Sequence, residues 1–124
     1  MCSDESLTIT NPVYIVSPNF GDNQHYPLNV NCQLNIYTTS NTTIKVSFLA
    51  VDIEYNIACS WDYLILYDGS SDASSKLDTL CGTKLVSYNS TGSSIRFLFN
   101  SDFIITKTGF KALIEVIDTG KILY

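Results

Sequence analysis

Basic residues, histidine and long apolar runs are scarce in this sequence. The 124 residues include seven Lys and Arg against twelve Asp and Glu, which gives a formal net charge of −5. Such a chain repels a polyanion, so we expect no nucleic acid partner. The longest apolar runs, such as residues 63–67, are far shorter than the ~20 residues that a membrane-spanning helix requires, so no membrane insertion is expected.

Motifs for zinc are missing as well. The four cysteines, Cys2, Cys32, Cys59 and Cys81, contain no Cys-x-x-Cys pair, and only one histidine, His25, is available to complete a zinc site. Two disulfides are the better interpretation. They predict an oxidising compartment, so we expect the chain to be secreted or part of an ectodomain. Four cysteines allow three pairings, and the residues alone do not choose among them.

Two further features bear on the compartment and the domain organisation. Asn41 and Asn89 each begin an Asn-x-Ser/Thr triplet, which is an acceptor for N-glycosylation outside the cytosol. The first residues are polar and form no charged-then-apolar leader. We therefore expect residues 1–124 to be one mature or excised domain.

Alternation of apolar and polar residues with a period of two is typical of half-buried strands. It occurs in the segments Cys32–Ile36, Ile44–Phe48, Ile95–Phe99 and Phe110–Val116. Residues Trp61–Tyr67 show little alternation and are predicted to form a central strand covered on both faces. With turn formers between the runs and no helical periodicity, the sequence predicts an all-β fold. The expected form is a two-sheet antiparallel β-sandwich, jelly-roll-like, with about eight to ten strands and two disulfides, and a small barrel is the alternative.

Catalytic motifs do not occur in the sequence. It contains no Gly-x-Ser-x-Gly elbow, no His-Glu-x-x-His and no glycine-rich phosphate loop, so we predict that the chain is not an enzyme. Glycosidases use two carboxylates, and Glu54 and Asp62 could in principle form such a pair. A cation shared between them would keep both ionised, which argues against a general acid.

Three acidic residues stand next to predicted strand ends. Glu54 and Asp62 flank residues 55–61, and Asp102 follows the strand that ends at Phe99. Acids at strand ends are usually solvated, so the residues alone do not predict that the three converge. If they converge, their charges repel one another unless a hard cation such as Ca²⁺ lies among them. The remaining loop acids are expected to be solvated surface: Asp22, Asp72 and Asp78.

Several short fragments follow one another in a defined order along the chain. They are Ser17–Phe20, Tyr26–Asn29, Phe48–Glu54, Cys59–Leu64, Tyr67–Gly69, Cys81–Gly82, Ile95–Phe97, Ser101–Asp102 and Gly109–Ala112. No single fragment is specific, but in this order they resemble the CUB domain, a secreted β-sandwich module, over nearly the whole chain. The resemblance implies consecutive disulfides, Cys2 with Cys32 and Cys59 with Cys81.

The resemblance also implies a metal site. In the calcium-binding subset of the family, the matching positions are ligands, and here they are Glu54, Asp62 and Asp102. Tyr26 is implied to support the site by a hydrogen bond to one ligand. A core aromatic before a turn proline is the alternative interpretation of Tyr26.

Some positions depart from the family pattern. After Asp102 the family often supplies a backbone carbonyl and a polar side chain, whereas this chain has Phe103-Ile104-Ile105-Thr106. The Ile104 carbonyl is the expected further ligand, because backbone oxygen does not depend on side-chain type. The missing polar side chain predicts weaker binding. Three other departures affect packing more than ligands: Phe20, Gly21 and Leu34.

The function that the resemblance implies is an extracellular, calcium-dependent protein-recognition module. Ca²⁺ would order acidic loops that receive a Lys or Arg side chain from a protein partner. A carbohydrate-binding module and a structural spacer in a larger secreted protein are the alternatives. The low count of basic residues argues against sulfated glycans.

Overall fold

The computed structural model describes residues 5–118, and this part of the chain consists of strands and loops. In chain order the strands are β1 (Glu5–Thr8), β2 (Val13–Val16), β3 (Asn31–Tyr37), β4 (Thr42–Asp52), β5 (Tyr63–Asp68), β6 (Ser75–Leu80), β7 (Ser87–Asn89), β8 (Ser94–Asn100) and β9 (Gly109–Asp118). Within residues 5–118 no helix is long and apolar enough to cross a membrane.

The strands form two sheets that pack face to face. Strands β1, β3, β8, β5 and β6 follow one another in a five-stranded sheet, and β2, β9, β4 and β7 in a four-stranded sheet. The predicted all-β sandwich is therefore confirmed. One pair departs from the prediction of antiparallel sheets, because β1 lies parallel to β3. The intervening strand β2 pairs in the opposite sheet, so no hairpin joins β1 to β3.

The core lies between the sheets and follows the alternation in the sequence. With few exceptions, every second residue of β3, β4, β8 and β9 is buried. Four rings from three of these strands, Phe48, Phe97, Phe99 and Phe110, contact one another with centroids 5.5 to 6.4 Å apart. Burial of a side chain of this size stabilises a fold by about 1.5 to 3 kcal/mol. This cluster therefore joins the two sheets.

A disulfide connects Cys59 to Cys81, with Cα atoms 5.5 Å apart. It is the bond that the resemblance implied. The other implied bond joins Cys32, which is buried in β3, to Cys2. Cys2 lies outside the described residues, so this second pairing stays a prediction.

The predicted central strand Trp61–Tyr67 begins later than expected. The strand is β5, which lies between β8 and β6 and is buried on both faces. Trp61 precedes it and is 51% exposed, so its assignment to the strand was wrong. The cause is a turn in which the Asn56 side chain accepts hydrogen bonds from the amides of Ser60 and Trp61. These bonds bend the chain just before β5.

Two acids that were predicted to be solvated surface form specific contacts. Asp72 is exposed, as expected, yet it accepts a 2.6 Å hydrogen bond from Nε of the buried Arg96. Asp78 lies in β6 and accepts hydrogen bonds from the Tyr88 hydroxyl and the Lys84 ammonium. Burial favours the neutral acid, but these hydrogen bonds lower the pKa of Asp78. The prediction for Asp78 was wrong because its partner Tyr88 comes from another strand.

The two glycosylation triplets lie on the surface. Asn41 is exposed in the turn between β3 and β4, and Asn89 is exposed in the edge strand β7. Both side chains are therefore accessible, and their glycosylation stays a prediction.

We predict that Gly109→Ala destabilises the fold. Gly109 opens β9 with a φ of +100°, and an added Cβ would lie 1.9 Å from Ser17 Oγ. The Ser17 hydroxyl accepts a hydrogen bond from the buried Phe110 amide, which holds it in place. Strain and overlap together predict a loss of about 2 to 5 kcal/mol in the free energy of unfolding, measured by urea titration.

Gly92→Ala is the matched control, since a Cβ at Gly92 meets no atom within 4 Å. Equal unfolding free energies for the two variants would contradict the prediction.

Candidate metal centre

Three strand ends that carry acidic residues meet at one end of the sandwich. Asp62 directly precedes Tyr63, the first residue of β5, and Tyr63 pairs with Asn100 at the end of β8. Asp102 follows two residues after Asn100, so the antiparallel register places it beside Asp62. Glu54 follows the end of β4, which belongs to the other sheet, and reaches the same point from across the sandwich.

The side chains of Glu54, Asp62 and Asp102 converge, and we refer to them as the acidic cluster. One carboxylate oxygen of each lies within 4.8 Å of the others. Asp62 is completely buried and Glu54 is 5% exposed, whereas Asp102 is only half-buried. The cluster is therefore sealed by the core on one side and reaches solvent on the side of Asp102.

Tyr26 connects two members of the acidic cluster. Its hydroxyl donates a 2.6 Å hydrogen bond to Asp62 Oδ2 and accepts a 3.1 Å hydrogen bond from the Glu54 amide. Its ring is 1% exposed and packs edge-on against Phe99, with centroids 4.9 Å apart. Burial and the hydrogen bond to the Asp62 carboxylate raise the pKa of Tyr26, so the phenol remains a donor. Tyr26 is thus a core aromatic that also holds a cluster carboxylate.

Backbone hydrogen bonds fix Asp102. Its amide donates to Asp62 Oδ1 over 2.7 Å, and its carbonyl accepts from the Asn29 amide over 2.9 Å. One of its own carboxylate oxygens, Oδ1, accepts from the Ile104 amide over 3.1 Å. The folded chain itself therefore sets the positions of the Asp62 and Asp102 carboxylates.

The like charges of the acidic cluster oppose ionisation. Burial, and then the negative charges of Asp62 and Asp102, raise the pKa of Glu54. Burial also raises the pKa of Asp62, and the hydrogen bonds from Tyr26 and the Asp102 amide only partly offset it. A cation between the three carboxylates would relieve both the repulsion and the lost hydration.

The residues present fit a hard divalent cation such as Ca²⁺. All side-chain donors of the cluster are carboxylate oxygens, and no His or Cys among residues 5–118 joins them, which disfavours zinc. Glu54 Oε1 is buried and has no hydrogen-bond partner within the described residues. Buried oxygens almost always have a partner, so this atom has the properties of a ligand.

A cavity of about 310 Å³ opens beside the acidic cluster. It is lined by Glu54 and Asp102 and by four apolar residues that we call the apolar rim: Trp61, Phe103, Ile104 and Ile105. The sequence pattern marks residues 103–105 only as a departure from the family. Trp61 is not predicted as part of this surface, because the pattern places it in a strand. Three consecutive large apolar residues after a predicted ligand were the signal that could have indicated this surface.

Ile104, the expected source of a backbone ligand, lies at the mouth of the cluster. Its amide bonds to Asp102, and its side chain is 63% exposed and lines the cavity. Coordination by its carbonyl stays a prediction, as does metal binding by the three carboxylates.

Comparison with known proteins points to a single family. A sequence model of the CUB domain matches residues 2–113. Mouse tolloid-like protein 2 is 35% identical over 100 residues, which are 80% of this chain and 10% of that protein. The chain thus spans about a tenth of the length of this curated relative.

Solved structures agree with this result. The full extracellular region of zebrafish Gpr126/Adgrg6 is 27% identical with a TM-score of 0.77, and the match covers 91% of this chain and 14% of that one. The CUB2 domain of MASP-1 bound to Ca²⁺ has a TM-score of 0.76 at 24% identity, and the match covers 89% of this chain and 96% of that one. At that identity the second likeness shows the fold alone, and the Ca²⁺ belongs to that protein.

We predict that Tyr26→Phe lowers stability even without metal. The substitution leaves the buried Asp62 Oδ2 and the Glu54 amide without their shared partner. The free energy of unfolding should fall by about 1 to 3 kcal/mol, measured by urea titration in the presence of a chelator.

Tyr14→Phe is the matched control, because the Tyr14 ring is 60% exposed and keeps its contact with Lys111 after the change. A loss no larger than that of the control would show that the bridging hydroxyl contributes nothing.

Proposed function

This chain belongs to the CUB domain family, and we propose that it is a calcium-dependent recognition module for an extracellular protein partner. Modules of this family in extracellular proteins mediate protein interactions. In this chain, the proposed role of Ca²⁺ is to join the three loops that carry Glu54, Asp62 and Asp102. The ordered loops then form the surface that meets the partner.

The observation that carries the proposal is the buried Glu54 Oε1, which has no hydrogen-bond partner among residues 5–118, on a side chain that converges with two other carboxylates. Leaving such an oxygen unsatisfied costs about 1 to 3 kcal/mol, and more if it is charged. Burial and then the charges of Asp62 and Asp102 raise the pKa of Glu54, and coordination to Ca²⁺ would satisfy the oxygen and neutralise those charges. Tyr26 and the Asp102 amide already hold the Asp62 carboxylate in the cluster, which favours binding at this place.

The charge of the loaded site indicates the chemistry of the partner. Three carboxylates and one Ca²⁺ leave a net charge of −1 (−3 + 2) at the mouth of the cluster. A lysine or arginine of the partner is attracted to that charge and can donate hydrogen bonds to the outer carboxylate oxygens. Such a contact weakens at high ionic strength, since it lies at the solvent-exposed side of Asp102.

We predict that calorimetry detects one calcium site in the wild-type chain with a Kd of roughly 10⁻⁴ to 10⁻³ M, the range of extracellular calcium modules. Asp62→Asn keeps the size of the side chain but removes its charge from the centre of the cluster. The affinity should fall by at least about tenfold, which corresponds to one lost charged ligand.

The control variant is Asp22→Asn, which removes one charge from an exposed loop outside the cluster. Calcium heats that are equal in wild type and Asp62→Asn, or absent from both, would refute the proposed site.

A further inference from the structure

We propose that the cavity beside the acidic cluster binds a partner segment in which the lysine or arginine is adjacent to a bulky apolar side chain. Recognition of the basic side chain rests on the proposed function. Recognition of the apolar side chain is new and depends on the apolar rim formed by Trp61, Phe103, Ile104 and Ile105. The partner is therefore defined by two neighbouring side chains of different chemistry.

The large side chains of the apolar rim are exposed and lie next to one another. Phe103 is 71% exposed, Ile104 63% and Trp61 51%, and all three line one cavity with Glu54 and Asp102. Contiguous exposed apolar surface on a small domain marks an interaction site more often than chance. Tryptophan is also among the residues that contribute most to binding energy at interfaces.

Hydrogen bonds fix the backbone on both sides of the apolar rim. On one side, the Ile104 amide is bound to Asp102, and the Thr108 amide and hydroxyl are bound to Asp52. On the other side, the Asn56 side chain accepts from the Trp61 amide. A backbone fixed in this way loses little conformational entropy when a partner binds.

The disulfide adds to this constraint on the Trp61 side. Cys59 lies two residues before Trp61 and is bonded to Cys81, at the end of the neighbouring strand β6. Its amide also donates to the carbonyl of Asn56 over 3.0 Å. The loop that presents Trp61 is therefore tied covalently to the five-stranded sheet.

The size and charge of the cavity favour a polypeptide partner. A volume of about 310 Å³ exceeds what a single cation and its water require, and it admits an aliphatic side chain beside a lysine. The carboxylates of Glu54 and Asp102 at its inner side attract a cation. They repel the phosphates of an anionic lipid surface, which is the other target that an exposed apolar rim suggests.

The test uses two capped peptides, Gly-Leu-Lys-Leu-Gly and Gly-Ser-Lys-Ser-Gly, titrated into the 124-residue chain in saturating calcium. Binding is followed by the NMR resonance of the indole N–H, since Trp61 is the single tryptophan. We expect the leucine peptide to bind about tenfold more tightly than the serine peptide, as burial of one aliphatic side chain predicts. Chelation of calcium should abolish the binding of both.

A double variant, Phe103→Ser with Ile105→Ser, isolates the apolar contribution. It should reduce the preference for the leucine peptide, with Trp61 and Ile104 left in place, while the calcium affinity measured by calorimetry stays unchanged. Leu85→Ser is the matched control, because Leu85 is 61% exposed and does not line the cavity. This control should keep the preference for the leucine peptide.

The outcomes separate this inference from the proposed function. If both peptides bind with equal affinity and only in calcium, the inference of an apolar contact is contradicted, and the proposed calcium-dependent recognition is not. Calcium binding without binding of either peptide also overturns the inference, as does binding to phosphatidylserine vesicles in place of the peptides. Absence of calcium heat together with absence of peptide binding overturns both proposals.

Discussion

The hydrogen bond from the Tyr26 hydroxyl to Asp62 joins the apolar core to the acidic end of the sandwich. The Tyr26 ring belongs to the core through its contact with Phe99, while its oxygen also accepts from the Glu54 amide. β9 begins close to this ring, because a Cβ at Gly109 would lie only 3.5 Å from it. One side chain thus fixes the relative positions of loops from both sheets, and the acidic cluster depends on it.

This arrangement places the three carboxylates of the acidic cluster where water hydrates them only in part. Asp62 is completely buried, and the pKa of Glu54 is raised by burial and by its acidic neighbours. A folded chain tolerates such a cluster when a cation or a basic partner completes it. The proposed calcium binding and the proposed recognition of a basic side chain both follow from that incompleteness. The apolar rim is the proposed source of specificity for the residue beside the basic one.

The sequence predicted the sandwich from local patterns alone, because the alternation in segments such as Ile44–Phe48 directly reflects which face is buried. It did not predict the parallel pairing of β1 with β3, which depends on the chain passing through the other sheet. Trp61 was misassigned because a side-chain turn centred on Asn56 overrides the strand pattern. These errors arise where a contact between distant or non-periodic residues decides the local structure.

The acidic cluster shows the same limit more clearly. Nothing in the spacing of Glu54, Asp62 and Asp102 predicts that they meet, since their proximity comes from the register between β5 and β8 and from the end of β4. Only the ordered resemblance to a family placed them together. The Tyr26 hydrogen bond was likewise implied by resemblance, while its burial agreed with the alternative interpretation from the residues.

The most direct test of the account is terbium luminescence, because Tb³⁺ occupies oxygen-ligand calcium sites and emits when a nearby indole is excited. Trp61 is the single tryptophan, and it lines the same cavity as Glu54 and Asp102. If the acidic cluster binds calcium, sensitised terbium emission is expected that calcium displaces and that is lost in Asp62→Asn. Emission that is absent from the wild type, insensitive to calcium or unchanged in Asp62→Asn would contradict it.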